Sequence, residues 1–307
     1  MRIMLTADDS LRLLTRGKFT PLTHGEQTLT LRNFNELAPL PLKPGSEIDL
    51  EGFITHVSRV RGKDADIHFN LSVDANDEKN FVVCEIQNAD NNAHGMPLKN
   101  AMDNQEKVTA RGVLRLFLEH IHETTGQPSL PHIFELHPLR GVVIGGNTEL
   151  PDITMDCPDK EEFRNNESVH QIELQDDGTM IKDGQKLHDN INVNYDGHNL
   201  AFFNPPPFNV NYAYTTAYFS KTSDGEFPDG MPYPFELKKS LSPDSVGIES
   251  IAIPNTPAYA VVKQFHNIRP KEALTVVALR SLNMAALMKG DYKVIFCPVF
   301  RIEQDTE

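Results

Sequence analysis

Cysteine and tryptophan are scarce in this sequence. Its 307 residues include three cysteines and no tryptophan. Cys84, Cys157 and Cys297 are odd in number and far apart, which favours a reducing compartment over a disulfide-linked scaffold. Without a C-x-x-C pair there is no zinc-knuckle motif. We therefore predict a cytoplasmic protein.

Long apolar runs and an excess of positive charge are also missing. No stretch approaches the roughly 18 apolar residues of a membrane-spanning helix, and the opening MRIMLTADDSLRLL lacks the pattern of a secretory signal. We therefore expect no membrane partner. Lys plus Arg number 29 against 43 Asp plus Glu, a formal net charge of −14. The chain as a whole would repel phosphate backbones, so the charge disfavours nucleic acid without excluding it.

Familiar catalytic motifs are not found. The sequence has neither a G-x-S-x-G nucleophile elbow nor a G-x-x-x-x-G-K-[ST] phosphate loop. We accordingly predict no catalytic residues, no cofactor and no enzymatic activity.

What is present is a series of strand-like runs between residues 47 and 144, with one helical insert, Pro97–Gln105, between the third and fourth. The runs are Glu47–Val60, Asp66–Val73, Phe81–Gln87, Lys107–Leu118 and His132–Ile144. In the second run Ile67, Phe69 and Leu71 alternate with polar residues, as in a half-buried strand. Three strands, a helix and two strands is the chain order of an OB-fold, a five-stranded Greek-key barrel. Gly52 and Gly112 lie inside the first and fourth runs and predict bulges that help the barrel close.

Several motifs in this region resemble an OB-like domain that recurs in uncharacterised bacterial proteins. They are Asp64-Ala65-Asp66-Ile67-His68, Cys84-Glu85-Ile86, Val108-Thr109-Ala110-Arg111-Gly112, Phe117 to His122 with Thr124-Thr125-Gly126, and Glu135-Leu136-His137-Pro138-Leu139. The resemblance implies a small barrel and attaches no established activity. The sequence departs from the pattern at Leu118-Glu119, so either His120 or His122 could correspond to the family histidine.

The segments before and after the barrel differ in length and composition. Residues 1–46 are too few for a core of their own and should pack on the barrel. Residues 145–166 form an acidic linker. From 151 to 200 there are twelve Asp plus Glu against four Lys plus Arg, a composition typical of a solvated face.

Residues 167–307 are expected to form a second β-rich, sandwich-like domain, which makes the whole protein mainly β. Five Asp-Gly pairs in this half favour type I′ hairpin turns. They begin at Asp177, Asp183, Asp196, Asp224 and Asp229. We expect strands at Ala258–Phe265, Leu274–Leu279 and Tyr292–Ile302, among others, and a helix at Ser281–Lys289.

Three hypotheses for function remain. The first, which we favour, is a non-catalytic binding or assembly module that contacts a protein partner or a second copy of itself. The aromatic, proline-rich stretch 202–219 supplies the expected anchors, Phe208, Tyr212, Tyr214 and Tyr218, because aromatic residues are enriched at interface centres.

The second hypothesis is a single-stranded nucleic-acid-binding OB-fold protein. Arg59, Arg61 and Lys63 fall in the first interstrand loop of the barrel, which commonly contacts single strands in OB-folds, and His68 could stack on a base. The third is a metal-dependent hydrolase that uses the barrel histidines. His120 and His122 are two residues apart, so on a strand both face the same side. With Glu119, Glu123 or His68 nearby, they could bind Zn²⁺ or a similar ion. The alternative for His68 and His137 is a structural role inside the barrel.

Overall fold

The computed structural model describes residues 3–4, 28–31, 34, 44–59, 66–78, 80–119, 132–153, 169–187, 191–204, 210–222, 227, 230–266, 268 and 270–304. Its strands are β1 (Ile3–Met4), β2 (Thr28–Leu31), β3 (Glu47–Val57), β4 (Ile67–Ser72), β5 (Val82–Ile86), β6 (Lys107–Glu119), β7 (His132–Ile144), β8 (Thr148–Glu149), β9 (Val169–Gln171), β10 (Glu173–Leu174), β11 (Met180–Lys182), β12 (Gln185–Lys186), β13 (Asn192–Tyr195), β14 (Leu200–Phe203), β15 (Tyr212–Thr222), β16 (Tyr233–Lys238), β17 (Ile248–Ala252), β18 (Leu274–Leu282) and β19 (Val294–Gln304). Its α-helices are α1 (Met96–Asp103), α2 (Pro257–Phe265) and α3 (Met284–Leu287). Within these ranges, no helix combines the length and the apolar character that crossing a membrane requires.

The first barrel is the predicted OB-like one. Its strands pair in the order β3-β4-β5-β7-β6, and a further pairing of β3 with β6 closes the ring. The β5–β7 contact is parallel and the other contacts are antiparallel. Helix α1 connects β5 to β6, as the sequence predicted. The strands coincide with the five predicted runs to within a few residues. Core and outer side chains alternate along most of β4, whereas β5 is buried throughout.

Of the two glycines expected to bend this barrel, one does so. The β6–β7 register shifts on both sides of Gly112, and a Cβ there would lie 2.8 Å from the backbone oxygen of Pro138. Gly112 therefore marks a bulge at which two backbones approach too closely for a side chain. Gly52, in contrast, pairs with Val108 in unbroken register.

The second domain is β-rich, as expected, but its sheet closes into a barrel instead of forming a sandwich. Its strands pair in the order β16-β17-β19-β18-β15, with an additional β15–β16 pairing. The β17–β19 contact is parallel, and α2 connects β17 to β18. In chain order this is the topology of the first barrel. The two packed sheets of a sandwich would leave edges that this closure removes.

The segment expected to be a strand at Ala258–Phe265 is a helix, so that expectation is wrong. The side chain of Thr256 accepts a hydrogen bond from the backbone N–H of Tyr259, and Pro257 occupies the first turn. Both are helix-start features. Ala258 and Val262, four residues apart, are the buried positions of the helix. The Ser281–Lys289 helix is shorter than expected, because β18 continues to Leu282.

Short strands outside the barrels connect the two halves of the chain. Strand β1 adds to β3 in parallel, and β2 pairs with β14, which pairs with β13. Hairpins at Asp177-Gly178, Asp183-Gly184 and Asp196-Gly197 lie where the Asp-Gly pairs predicted them. All three glycines have positive φ, but of the three aspartates only Asp183 does, so the expected type I′ turn fits Asp183-Gly184 alone. The Asp224 and Asp229 positions lie outside the described residues.

The barrels pack through their fourth strands, β6 and β18. The Leu116 N–H donates to Ser281 Oγ, whose hydroxyl lies 3.3 Å from the Leu116 carbonyl oxygen. Beside this contact, Val113 of the first barrel joins an apolar cluster from the second, comprising Ile251, Ile253, Ile295 and Cys297. Hydrogen bonds and apolar contacts therefore both join the two barrels at this point.

Candidate functional site

A row of charged side chains crosses the outer face of the first barrel. His68 on β4 is paired in register with Glu85 on β5, and Arg115 on β6 with Glu135 on β7. Their chain neighbours Ile67, Cys84, Leu136 and Leu114 belong to the core. Since side chains alternate along a strand, the polar residues must face outward. The register of four strands therefore brings together residues that are far apart in sequence.

These side chains, with His137, form what we call the ion cluster: His68, Glu85, Arg115, Glu135 and His137. Glu85 Oε2 lies 2.9 Å from His68 Nε2 and 3.0 Å from His137 Nδ1. Glu135 Oε2 lies 2.8 Å from Arg115 Nη1 and 3.5 Å from His137 Nδ1. His137 thus lies between the two carboxylates.

The second barrel covers one side of the ion cluster. His137 Nε2 lies 2.5 Å from the hydroxyl oxygen of Tyr212. Arg115 donates through Nε to the backbone oxygen of Arg280 at 2.8 Å and through Nη2 to Asn211 Oδ1 at 3.1 Å. The side chains of Arg115 and His137 are 0% and 1% exposed, whereas that of His68 is 47% exposed. Of the five residues, His68 is the one that solvent reaches freely.

The pKa values in the cluster are shifted by these contacts. Burial would lower the pKa of His137, but Glu85 and Glu135 outweigh it and raise that pKa to about 10. Desolvation likewise opposes the effect of Glu85 on His68, whose pKa rises to about 9. Burial would raise the pKa of Glu135, yet His137 and Arg115 lower it to about 2. Near neutral pH the cluster therefore consists of two carboxylates and three cations.

Two of the residues expected to contact nucleic acid are placed together. Ser58, at the start of the β3–β4 loop, donates its backbone N–H to the His68 oxygen at 2.8 Å, and its Oγ accepts from the His68 N–H at 2.9 Å. Arg59 follows Ser58 directly, and both Arg59 and His68 are exposed. Arg61 and Lys63 follow in the sequence and lie outside the described residues.

The residues expected to bind metal, His120 and His122, also lie outside the described residues. Within the described part of the chain, His68, Glu85 and Glu135 can offer ligand atoms that are all within 4.8 Å of one another. Sequence reasoning did not single out Glu85, Glu135 or Arg115 as site residues. The available signal was that His68, Glu85, Glu135 and His137 belong to the motifs that carry the family resemblance.

The aromatic residues expected to anchor a protein partner differ in how deeply they are buried. Tyr212 is buried against the first barrel, where its hydroxyl contacts His137. Its side chain is therefore not available to a protein partner. Tyr214 is half-buried and packs against the apolar cluster of Tyr212, Val277, Leu279 and Phe300. Tyr218 is half-buried on the same strand, and Phe208 lies outside the described residues.

Comparison with known proteins finds no matching family model and no matching curated protein. Among solved structures, the single-stranded DNA binding protein from Thermus aquaticus aligns over 85% of this chain and 93% of its own, with 8% identity and a TM-score of 0.22. The asparaginyl-tRNA synthetase of Entamoeba histolytica aligns over 66% and 52%, with 9% identity and a TM-score of 0.24. A replication protein A heterotrimer bound to single-stranded DNA aligns over 86% and 67%, with 9% identity and a TM-score of 0.21. Scores at this level establish neither a family nor a function for the chain.

Proposed function

We propose that this protein binds single-stranded nucleic acid through the β3–β4 loop of its first barrel. The observation that carries the proposal is the position of the basic residues. In OB-folds the loop between the first two strands and the adjoining sheet face form the usual ligand surface. Here Arg59, Arg61 and Lys63 lie between β3 and β4 in the sequence, and exposed His68 is the second residue of β4.

The distribution of charge makes this surface compatible with a polyanion. Several acids of the first barrel form ion pairs: Glu51 with Lys107 at 2.8 Å, Asp49 with Arg111 at 2.9 Å and Glu47 with Arg140 at 3.3 Å. The larger excess of acid lies outside this barrel, since residues 145–211 hold thirteen Asp plus Glu against four Lys plus Arg, whereas residues 47–144 hold fifteen against nine. Arg59 makes no ion pair among the described residues. The loop can therefore attract phosphate despite the net charge of −14.

The protein-partner hypothesis receives less support from the same observations. Its anchor Tyr212 is engaged within the chain, which leaves Tyr214 and Tyr218 as half-buried candidates. We keep the expectation that the protein is not an enzyme. We also keep a cytoplasmic location, to which the free, buried thiols of Cys84 and Cys297 are suited.

The proposal is tested by titrating a fluorescent single-stranded DNA or RNA oligomer with the full chain and following anisotropy at several salt concentrations. We expect saturable binding at low salt. The variant R59E/R61E/K63E should weaken binding and reduce the log–log salt slope by up to about 2, because each lost phosphate contact on a single strand contributes about 0.7.

A matched control carries the same change of charge at exposed lysines away from the loop, K99E/K239E/K289E. This control should bind more tightly than the loop variant. Ordinary non-specific binding has a Kd of about 100 μM or tighter. If the wild type shows no saturable binding at protein concentrations up to about 100 μM in low salt, the proposal is wrong. It is equally wrong if both triple variants lose affinity to the same extent.

A further inference from the structure

The ion cluster contains a donor set that shares only His68 with the proposed nucleic-acid surface. We propose that His68, Glu85 and Glu135 bind one divalent transition-metal ion, of which Zn²⁺ and Mn²⁺ are the suitable probes. This inference does not depend on the proposed function. It places two of the three ligands, Glu85 and Glu135, at residues that the sequence had not assigned to a metal.

The geometry of the three ligands supports the proposal. Their ligand atoms lie within 4.8 Å of one another, and His68 Nε2 and Glu85 Oε2 are 2.9 Å apart. Metal–ligand bonds of 2.0–2.2 Å in a tetrahedral site bring donor atoms to about 3.4 Å from each other. Closing around an ion therefore requires only small side-chain movements. One imidazole nitrogen and two carboxylate oxygens suit zinc and manganese. Because His68 is protonated near neutral pH without metal, the ion replaces that proton, which is released to solvent on binding.

The surroundings of the two carboxylates are those of a supported metal site. Glu85 and Glu135 are both about 4% exposed, so each is held on a packed strand with little freedom. Arg115 donates to Glu135 at 2.8 Å, and His137, fixed by Tyr212, lies against both carboxylates. Residues that orient metal ligands in this way contribute to affinity without touching the ion.

An ion also has a route to the site. His68 is on the solvent side of the cluster with about half of its side chain exposed, whereas the carboxylates lie beneath it. Three protein ligands leave at least one coordination position, which would face solvent beside His68. A water molecule can occupy that position, as in other three-ligand sites.

The test measures metal directly in the full chain, without a histidine tag and in the absence of nucleic acid. The protein is stripped with a chelator and titrated with Zn²⁺ or Mn²⁺ by calorimetry, and elemental analysis gives the stoichiometry after dialysis. We expect one ion per chain. H68Q should weaken the affinity at least tenfold, because it removes one of three ligands at an exposed position where folding is not at risk.

Two controls separate this site from other histidines. H198Q changes an exposed histidine on a hairpin turn and should leave the affinity unchanged. H120Q/H122Q removes the pair that the sequence suggested. If the wild type binds no stoichiometric ion, if H68Q binds as tightly as wild type, or if H120Q/H122Q alone abolishes binding, the proposed site is wrong.

E85Q provides a second, independent variant. It should abolish stoichiometric binding while a circular dichroism spectrum like that of wild type shows the fold to be intact. If E85Q does not fold, the metal affinity of H68Q still tests the proposed site. Oligonucleotide binding measured in EDTA reports on the proposed function separately, so each idea can fail without the other.

Discussion

His137 of the first barrel and Tyr212 of the second are joined across the interface, with the imidazole Nε2 2.5 Å from the phenol oxygen. Their rings meet edge to face, with centroids 5.4 Å apart. Both side chains are buried. This pair therefore connects the ion cluster of one barrel to the β15 strand of the other.

Removing the hydroxyl of Tyr212 should weaken this connection. We expect Y212F to lower the free energy of unfolding by about 1 kcal/mol, the usual net value of a hydrogen bond whose partner stays buried. Urea denaturation provides the measurement. Y218F changes a half-buried tyrosine on the same strand and should alter stability by less than about 0.5 kcal/mol. Equal losses in both variants would show that the His137 contact has no particular role.

Two cations on β6 allow a comparison of buried and surface ion pairs. Arg115 is 0% exposed and pairs with Glu135, whereas Lys107 is 58% exposed and pairs with Glu51. We expect R115M to cost about 3–5 kcal/mol, because it leaves a buried carboxylate with one cation fewer. K107M should cost less than about 1 kcal/mol. Chemical denaturation of both variants tests the difference, and similar losses would contradict it.

The bulge at Gly112 predicts a steric effect. A Cβ at this position would lie 2.8 Å from the Pro138 oxygen, whereas a Cβ at Gly141, on the paired strand, would have its nearest neighbour at 3.7 Å. We expect G112A to destabilise the protein by about 1–3 kcal/mol. G141A should be close to neutral. Thermal unfolding of the two variants measures the contrast, and an unperturbed G112A would show that the β6–β7 backbones can separate.

The shifted pKa values predict how stability depends on pH in metal-free protein. His137 has its pKa raised from 6.5 to about 10, so its contribution is complete below about pH 6.5 and is lost as pH rises towards 10. Glu135 has its pKa lowered from 4.5 to about 2, so its contribution is complete above about pH 4.5 and is lost as pH falls towards 2. The cluster should therefore stabilise the fold most between about pH 4.5 and pH 6.5, where both contributions are complete.

Urea midpoints measured from pH 4 to 10 test this dependence. Because other groups titrate in the same range, the informative quantity is the difference between wild type and H137Q. That difference should shrink as pH rises from 6.5 to 10. A difference that is constant over this interval would mean that His137 is not protonated in the folded protein.

Local patterns in the sequence determined much of this structure. Alternating side chains predicted the five strands of the first barrel, and β7 runs from His132 to Ile144 as expected. Asp-Gly pairs predicted three hairpins, because both residue types are favoured in tight turns and the glycine accepts the positive φ that all three turns require. These features depend on residues that are near one another in the chain. For that reason the chain order of an OB-fold could be recognised before any tertiary contact was known.

Tertiary contacts decided the rest. Ala258–Phe265 has strand-like composition but begins with a capped turn, and packing of Ala258 and Val262 made it a helix. The second barrel depends on β15–β16 closure and on the parallel β17–β19 pairing, both of which join segments without a shared local signal. The ion cluster depends on the register of β4, β5, β6 and β7. Motifs could mark His68, Glu85, Glu135 and His137 as residues of interest, but only strand pairing placed them side by side, since register is a property of the assembled sheet.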